Sequence, residues 1–348
     1  MTILTESPLL SPFNSAYSDQ RPDFTASSIR SELEPFDPSQ PTLCDRQVRA
    51  YRHHYGFDSL PDDTDYSIGM ESIQQAQLVV QFFQSRSAMG TVVIVHGYTD
   101  HAGLYRSVID YLLRLKWNVL IYDLPGHGLS LGDPLGIDDF KTYVTQLNHL
   151  LQTYRAIMGK RLVLLGQSTG AAIIMSQQIM PVMHLMQPLH IDQRILLAPL
   201  LRPTRFERIK KLYRLVGWFR RRYKRDFTDN SGDPEFLAFV RQRDPLQYMH
   251  FSMNWIRAML KWVPLMEAQR GVEGAPLIIQ GDEDVTVDWR HNLPLFEQIY
   301  PEAQTCLLQG GRHHLVNDAL DIRKQVFVKI EECLAKLSSP HPIDRRSR

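Results

Sequence analysis

The sequence predicts an open, mostly parallel α/β sheet with helices on both faces and a helical insertion late in the chain. Three observations lead there: short continuous runs of Val, Ile and Leu, amphipathic patterns between them, and one long interval after Pro199 where the alternation stops. A strand buried on both faces has no polar side to alternate with, so it reads as an unbroken apolar run. Strands separated by helices are the connection that parallel neighbours require.

Taken in order, residues 1–45 are rich in Ser, Pro, Asp and Thr without a sustained period. They are expected to form a mobile arm or an extended strap on the body. Strands are expected at Gln77–Phe83, Thr91–Val95, Asn118–Tyr122, Arg161–Leu165, Arg194–Ala198, Pro276–Gln280 and Thr305–Leu308. Asp138 is a candidate cap for a helix whose apolar stripe is Phe140, Val144, Leu147, Leu151 and Tyr154. A second helix follows Gly170, and a third runs from Asp318 through Val326, Phe327 and Ile330. The stretch between Pro199 and Pro276 has no good core strand and is too long for a simple loop. It is expected to be a helical cap over the sheet's carboxyl edge, where open α/β sheets place their ligands. The implied organisation is an arm (1–45), a core in two parts (46–199 and 273–337), a cap (200–272) and a flexible tail (338–348).

Composition excludes several classes. A formal net charge of +1 offers no global field for nucleic acid. The 3 cysteines, Cys44, Cys306 and Cys333, are odd in number and far apart, which speaks against a disulfide framework and for a reducing compartment. No His/Cys cluster suggests a metal, and no cofactor is expected. The start, MTILTESPLL, lacks a basic segment followed by an apolar run, so no signal peptide is read, and a cytoplasmic location is the expectation.

Two segments match G-x-S-x-G: Gly166–Gly170 around Ser168, and Gly128–Gly132 around Ser130. Chance produces such a match roughly once in ten chains of this length, so the motif needs its context. A nucleophile elbow requires a strand running into a tight turn and then a helix, which lifts Oγ clear of the sheet edge. Ser168 has RLVLL before it and AAIIM after it; Ser130 lies between PGHG and GDP, loop chemistry on both sides. Ser168 is therefore the candidate nucleophile and Ser130 a structural serine.

A serine hydroxyl needs a base, and in elbow-bearing sheets the order along the chain is Ser, acid, His. Gly281-Asp282-Glu283-Asp284 follows the strand PLIIQ, and Gly310-Gly311-Arg312-His313-His314 follows TCLLQ. Asp284 is favoured over Asp282 because the chain must turn before a carboxylate can point back; Asp288 is better placed to cap the next helix. His313 is favoured over His314. An oxyanion needs two backbone N–H donors. Thr169 supplies one, and Tyr98, presented by the turn at His96-Gly97, supplies the other. His96 is read as shaping that turn.

HGYTDHAGLY (His96–Tyr105), DLPGHGLSLG (Asp123–Gly132), GQSTG (Gly166–Gly170), GDEDVTV (Gly281–Val287) and GGRHH (Gly310–His314) occur in a familiar order and spacing. Together they resemble the monoacylglycerol lipase and lysophospholipase branch of the α/β-hydrolases over roughly residues 65–335. The resemblance implies a serine esterase, cytosolic or membrane-peripheral, acting on single-chain lipid esters. It implies Ser168, Asp284 and His313 as the triad, with Tyr98 and Thr169 forming the oxyanion hole. A proline aminopeptidase-like amidase and a non-catalytic protein on a hydrolase scaffold are the alternatives. A dehalogenase or epoxide hydrolase would need Asp where Ser168 stands.

From Arg202 to Arg225 there are 11 Lys/Arg residues and one acid, Glu207. Phe206, Ile209, Tyr213, Val216, Phe219 and Tyr223 recur at three or four, which predicts one helix with an apolar stripe. Its basic face is either solvated or a contact for anionic membrane. Trp218, Trp255 and Trp262 are candidates for an acyl pocket.

Overall fold

A computed structural model describes residues 17–18, 22–42, 45–180, 189–217 and 219–338. The N-terminal segment holds α1 (Ala26–Arg30) and α2 (Arg46–His54). The hairpin β1 (Thr64–Ile73) and β2 (Ala76–Ser85) opens the sheet, followed by β3 (Gly90–Val95), α3 (Arg106–Arg114) and β4 (Asn118–Tyr122). Then come α4 (Phe140–Thr153), β5 (Arg161–Gln167), α5 (Thr169–Ile179) and β6 (Gln193–Leu197). The interval expected to form the cap holds α6 (Phe206–Val216), β7 (Arg222–Lys224), α7 (Pro234–Gln242), β8 (His250–Ser252) and α8 (Met253–Glu267). The chain returns to the core with β9 (Leu277–Gly281), α9 (Trp289–Ile299), β10 (Gln304–Leu308) and α10 (Leu320–Ser338).

The eight-stranded sheet has the order β1-β2-β4-β3-β5-β6-β9-β10. β2 runs against both of its neighbours, and the remaining pairs are parallel. Alternate side chains of one strand serve opposite faces. Val92 and Ile94 join a core with α3 and α10, while Val93 and Val95 join one with α4, α5 and α8. That division explains the unbroken apolar run in β3. The order reverses at β3, whose chain leaves for β4 on one side and returns to β5 on the other. The crevice at the carboxyl ends of β3 and β5 is therefore the switch point where this architecture binds ligands.

All seven expected strands are present, to within a residue or two at their ends. β1 was not expected. It is an edge strand with Gly69 at its middle, and its cover comes from elsewhere in the chain. Residues 34–42 lie along it: Phe36 N–H donates to Met70 O and Met70 N–H to Glu34 O, both at 2.9 Å. A Cβ on Gly69 would lie 2.6 Å from Phe36 Cα, so glycine permits this approach. The described part of the N-terminal segment lies against the body and buries Phe24, Ile29 and Phe36. Cys44 lies outside the described residues; Cys306 and Cys333 are free thiols.

Two details differ from expectation. The cap of α4 is Asp139, whose carboxylate accepts from Lys141 N–H at 2.8 Å. Asp138 is exposed and bonds Arg257 at 2.7 Å. The apolar stripe of the basic segment is also not one helix. α6 stops at Val216 with Gly217 as its C-cap. Tyr223 lies in β7, which pairs antiparallel with β8. Glycine at the end of α6 and the ribbon's ladder bonds win over the continuing period, leaving Phe219 and Tyr223 exposed.

Candidate active site

The strand β5 runs directly into Ser168, which adopts φ 54 and ψ −112 before α5 begins. A non-glycine residue there is strained, by roughly 1–3 kcal/mol, and persists only where its surroundings fix it. The fixing is visible. Ser168 N–H donates to Leu197 O at 2.8 Å, and Ser168 O accepts from Ala172 N–H at 3.1 Å. A Cβ on Gly170 would lie 1.8 Å from Val95 O, and one on Gly166 would lie 2.5 Å from Ala171 N. Glycine at both positions lets helix, elbow and β3 close up.

Asp284 and His313 come together from the loops after β9 and β10, with His313 Nδ1 2.7 Å from Asp284 Oδ2. The same oxygen accepts from Gln280 Nε2 at 3.0 Å, while Oδ1 accepts from the N–H groups of Thr286 and Val287 at 2.7 and 3.1 Å. A carboxylate so bonded stays ionised, which fixes the proton of His313 on Nδ1 and leaves Nε2 free to accept. Burial favours the neutral form of both side chains. The ion pair and these hydrogen bonds outweigh it, holding Asp284 below and His313 above the ordinary values. Gln167 Nε2 clamps the His313 carbonyl at 2.7 Å and so ties the histidine loop to the elbow.

Ser168, His313, Tyr98 and Thr169 line one cavity of about 430 Å³ between the sheet edge and the cap. The N–H of Thr169 opens α5, and the N–H of Tyr98 follows the turn after β3. Neither donates to a protein group among the described residues. Leu200, Ile209, Met253, Trp255, Met259 and Val287 give the cavity an apolar wall. Trp255 is stacked on Tyr98 at 3.9 Å. Trp262 instead belongs to the core, stacked on Phe140 and donating to Ser176 Oγ at 2.7 Å; Trp218 lies outside the described residues.

The alternatives have other partners. Asp282 accepts from Gly310 N–H at 2.7 Å, and Asp288 caps α9. His314 Nε2 lies 3.2 Å from Asp100 Oδ2 but is not aligned for a hydrogen bond. Asp100 accepts from Tyr105 Oη at 3.0 Å. His96 is wholly buried, its Nε2 accepting from Leu124 N–H at 2.9 Å and its Nδ1 donating to Gly97 O at 2.8 Å. Burial and the nearby His127 push its pKa down to about 3, so it is a neutral brace for the turn. Gln167, Gln280 and Asp100 were not singled out from the sequence, although a lone Gln ending the apolar run PLIIQ was a signal.

Residues 86–319 match the serine aminopeptidase S33 family. The chain belongs to that family. Its fold is the α/β-hydrolase fold, within the monoglyceride lipase-like branch. A monkeypox virus monoglyceride lipase homolog is 25% identical over 254 residues, covering 69% of this chain and 87% of the relative. A soluble variant of the Saccharomyces cerevisiae monoglyceride lipase, solved with a substrate analog, superposes with a TM-score of 0.66 at 17% identity, covering 78% of this chain and 95% of that one. The monoacylglycerol lipase of Paleococcus ferrophilus gives 0.63 at 19% identity, covering 74% and 98%.

Ser130 has a structural task that can be measured. Its Oγ accepts from Val79 N–H at 2.8 Å and donates to Asp123 O at 2.6 Å, both buried. Ser130→Ala strands that N–H and lowers unfolding free energy by about 1–3 kcal/mol in chemical denaturation. A neutral result would mean that the decoy serine holds nothing.

Proposed function

We propose that this hydrolase is a serine carboxylic-ester hydrolase that cleaves single-chain lipid esters through an acyl-enzyme. The observation that supports this most is the 2.7 Å contact of His313 with Asp284 in a cavity shared with the strained Ser168 and an apolar wall. His313 Nε2 takes the proton of Ser168 as Oγ attacks the ester carbonyl, and Asp284 stabilises the imidazolium that forms. The N–H groups of Tyr98 and Thr169 receive the oxyanion, charge that appears only in the transition state. His313 returns the proton to the leaving alcohol, then draws one from the water that clears the acyl group. The acyl chain lies along Ile209, Met253 and Met259.

An amidase reading would need a carboxylate free to hold a substrate's amine. Asp100 faces His314 and Tyr105, and Asp226, the cap's acid in the lining, is flanked by Lys224 and Arg225. A non-catalytic scaffold would have no use for a strained elbow beside a bonded acid–base pair.

A peripheral membrane contact is supported by one surface. Leu215 and Phe219 are 71% and 55% exposed, and Lys211, Arg214, Arg220, Arg221 and Arg222 stand exposed around them. Apolar tips among cations suit an anionic interface beside the cavity. Among the described residues no helix is long and apolar enough to cross a membrane. A cytoplasmic protein that visits the bilayer fits these features.

A fluorophosphonate probe is expected to label the wild type and not Ser168→Ala. His313→Ala lowers kcat by roughly 10³-fold or more, and His314→Ala far less; the opposite ranking would transfer the base to His314. For the membrane contact, Arg220, Arg221 and Arg222 are replaced together by Gln. At about 1 kcal/mol per charge, sedimentation with anionic vesicles weakens by roughly two decades at low salt. Unchanged sedimentation means a face that is merely solvated.

A further inference from the structure

The cavity wall is not wholly apolar, because Arg205, Lys224 and Arg225 line it too. Arg225 follows β7 directly, and its N–H donates to Met249 O at 2.9 Å, so the ribbon sets where the side chain begins. Its guanidinium donates to Gln247 Oε1 at 3.0 Å and stacks on Phe227, 4.5 Å from the ring centroid. Gln247 is itself oriented, because its Nε2 is spent on Asp244 Oδ2 at 2.9 Å. An amide oxygen and an aromatic face aim a guanidinium without neutralising it. Among the described residues no carboxylate lies within ion-pair distance of Arg225.

The neighbouring acids are otherwise engaged. Asp100 and Asp244 are within electrostatic reach of Arg225. The carboxylate of Asp100 accepts from Tyr105 Oη and faces His314. That of Asp244 accepts from Tyr55 Oη at 2.7 Å and lies 3.0 Å from His101 Nε2. Burial consequently pulls the Arg225 pKa down, against the pull of those acids. Arg202, at the other end of the basic segment, is the contrast: it meets Glu267 through both Nε and Nη2. Lys224 and Arg205 line the same cavity, with Asp100 and the exposed Asp226 as the opposing charges. A neutral glycerol offers these cations only hydroxyls, whereas a phosphate monoester matches the guanidinium fork and carries the opposite charge.

We propose that Arg225, assisted by Lys224, receives a phosphate group on the alcohol portion of the substrate, making the preferred substrate an acylglycerol phosphate over a neutral monoacylglycerol. This rests on the lipid-ester reading above and assigns its head group. Arg225 acts there as a specificity-determining residue, remote from the bond that breaks.

The test compares an acylglycerol phosphate and a monoacylglycerol of the same chain, each below micelle formation, with wild type, Arg225→Gln and Arg225→Lys. Wild type is expected to favour the phosphorylated ester at least about tenfold in kcat/KM. In Arg225→Gln that ratio collapses, mainly through KM, and in Arg225→Lys part of it returns because the charge is kept. Equal rates on both esters in wild type, or a preference that survives in Arg225→Gln, overturn the proposal alone. If neither lipid is cleaved by protein whose Ser168 still takes a fluorophosphonate, the lipid-ester reading fails and the head group with it. Should Arg225→Gln not fold, a preference undiminished in Arg225→Lys still counts against a bidentate contact. Inorganic phosphate is the last arm. If it inhibits neutral-ester cleavage in wild type but not in Arg225→Gln, without any preference for the phosphorylated lipid, the site takes a free anion and the head-group proposal is wrong.

Discussion

Ser168 holds a backbone conformation that an L residue avoids, and much of the sheet's carboxyl edge is arranged to keep it there. β6 takes its N–H, α5 takes its carbonyl, and β3 comes close enough to Gly170 to exclude any side chain at that position. Tyr98, in the turn after β3, and Thr169, at the start of α5, line the same cavity. Two further loops then meet the elbow from the far side of β6. Gln167, the residue before the strained serine, holds the backbone of His313, so the geometry of the elbow and of the histidine loop are one constraint.

Electrostatics follows from that packing. Asp284 is buried, yet it keeps its charge because four donors reach it: two backbone N–H groups, Gln280 and His313. Its charge in turn favours the protonated form of His313 that a proton transfer from serine would generate. The cavity wall combines apolar side chains of α6 and α8 with the cations Arg205, Lys224 and Arg225. The apolar side chains suit an acyl chain, and the cations suit an anion.

The central strands were legible because burial on both faces leaves an unmistakable apolar run, and the elbow because a strand, a G-x-S-x-G turn and a helix must occur in that order. Both G-x-S-x-G matches could be told apart by their flanks, and the partners of Ser130 agree with its loop context. β1 was hidden because an edge strand covered by a strap has neither a continuous nor a cleanly alternating pattern. α6 ends short of the expected stripe because Phe219 and Tyr223 continue its period only by coincidence; the break depends on pairing with His250–Ser252, which is distant in sequence. Asp139 caps α4 in place of Asp138, a one-residue choice made by backbone geometry. Arg225 looked like one more basic residue in a run of them. Its distinction is the company it keeps, a glutamine and a phenylalanine in place of a carboxylate, and no local pattern encodes that.

The proposed activation of Ser168 by His313, itself held by Asp284, can be tested directly. The direct measurement is the pH dependence of the rate at which a fluorophosphonate labels Ser168. Protonated His313 cannot accept the serine proton, and its pKa is raised, so the protonated form persists to higher pH than for an ordinary histidine. The rate is therefore expected to fall on acidification with a midpoint above about 6.5, the unperturbed value. A labelling rate that is flat across about pH 5 to 8, or one whose midpoint lies below that value, would contradict it.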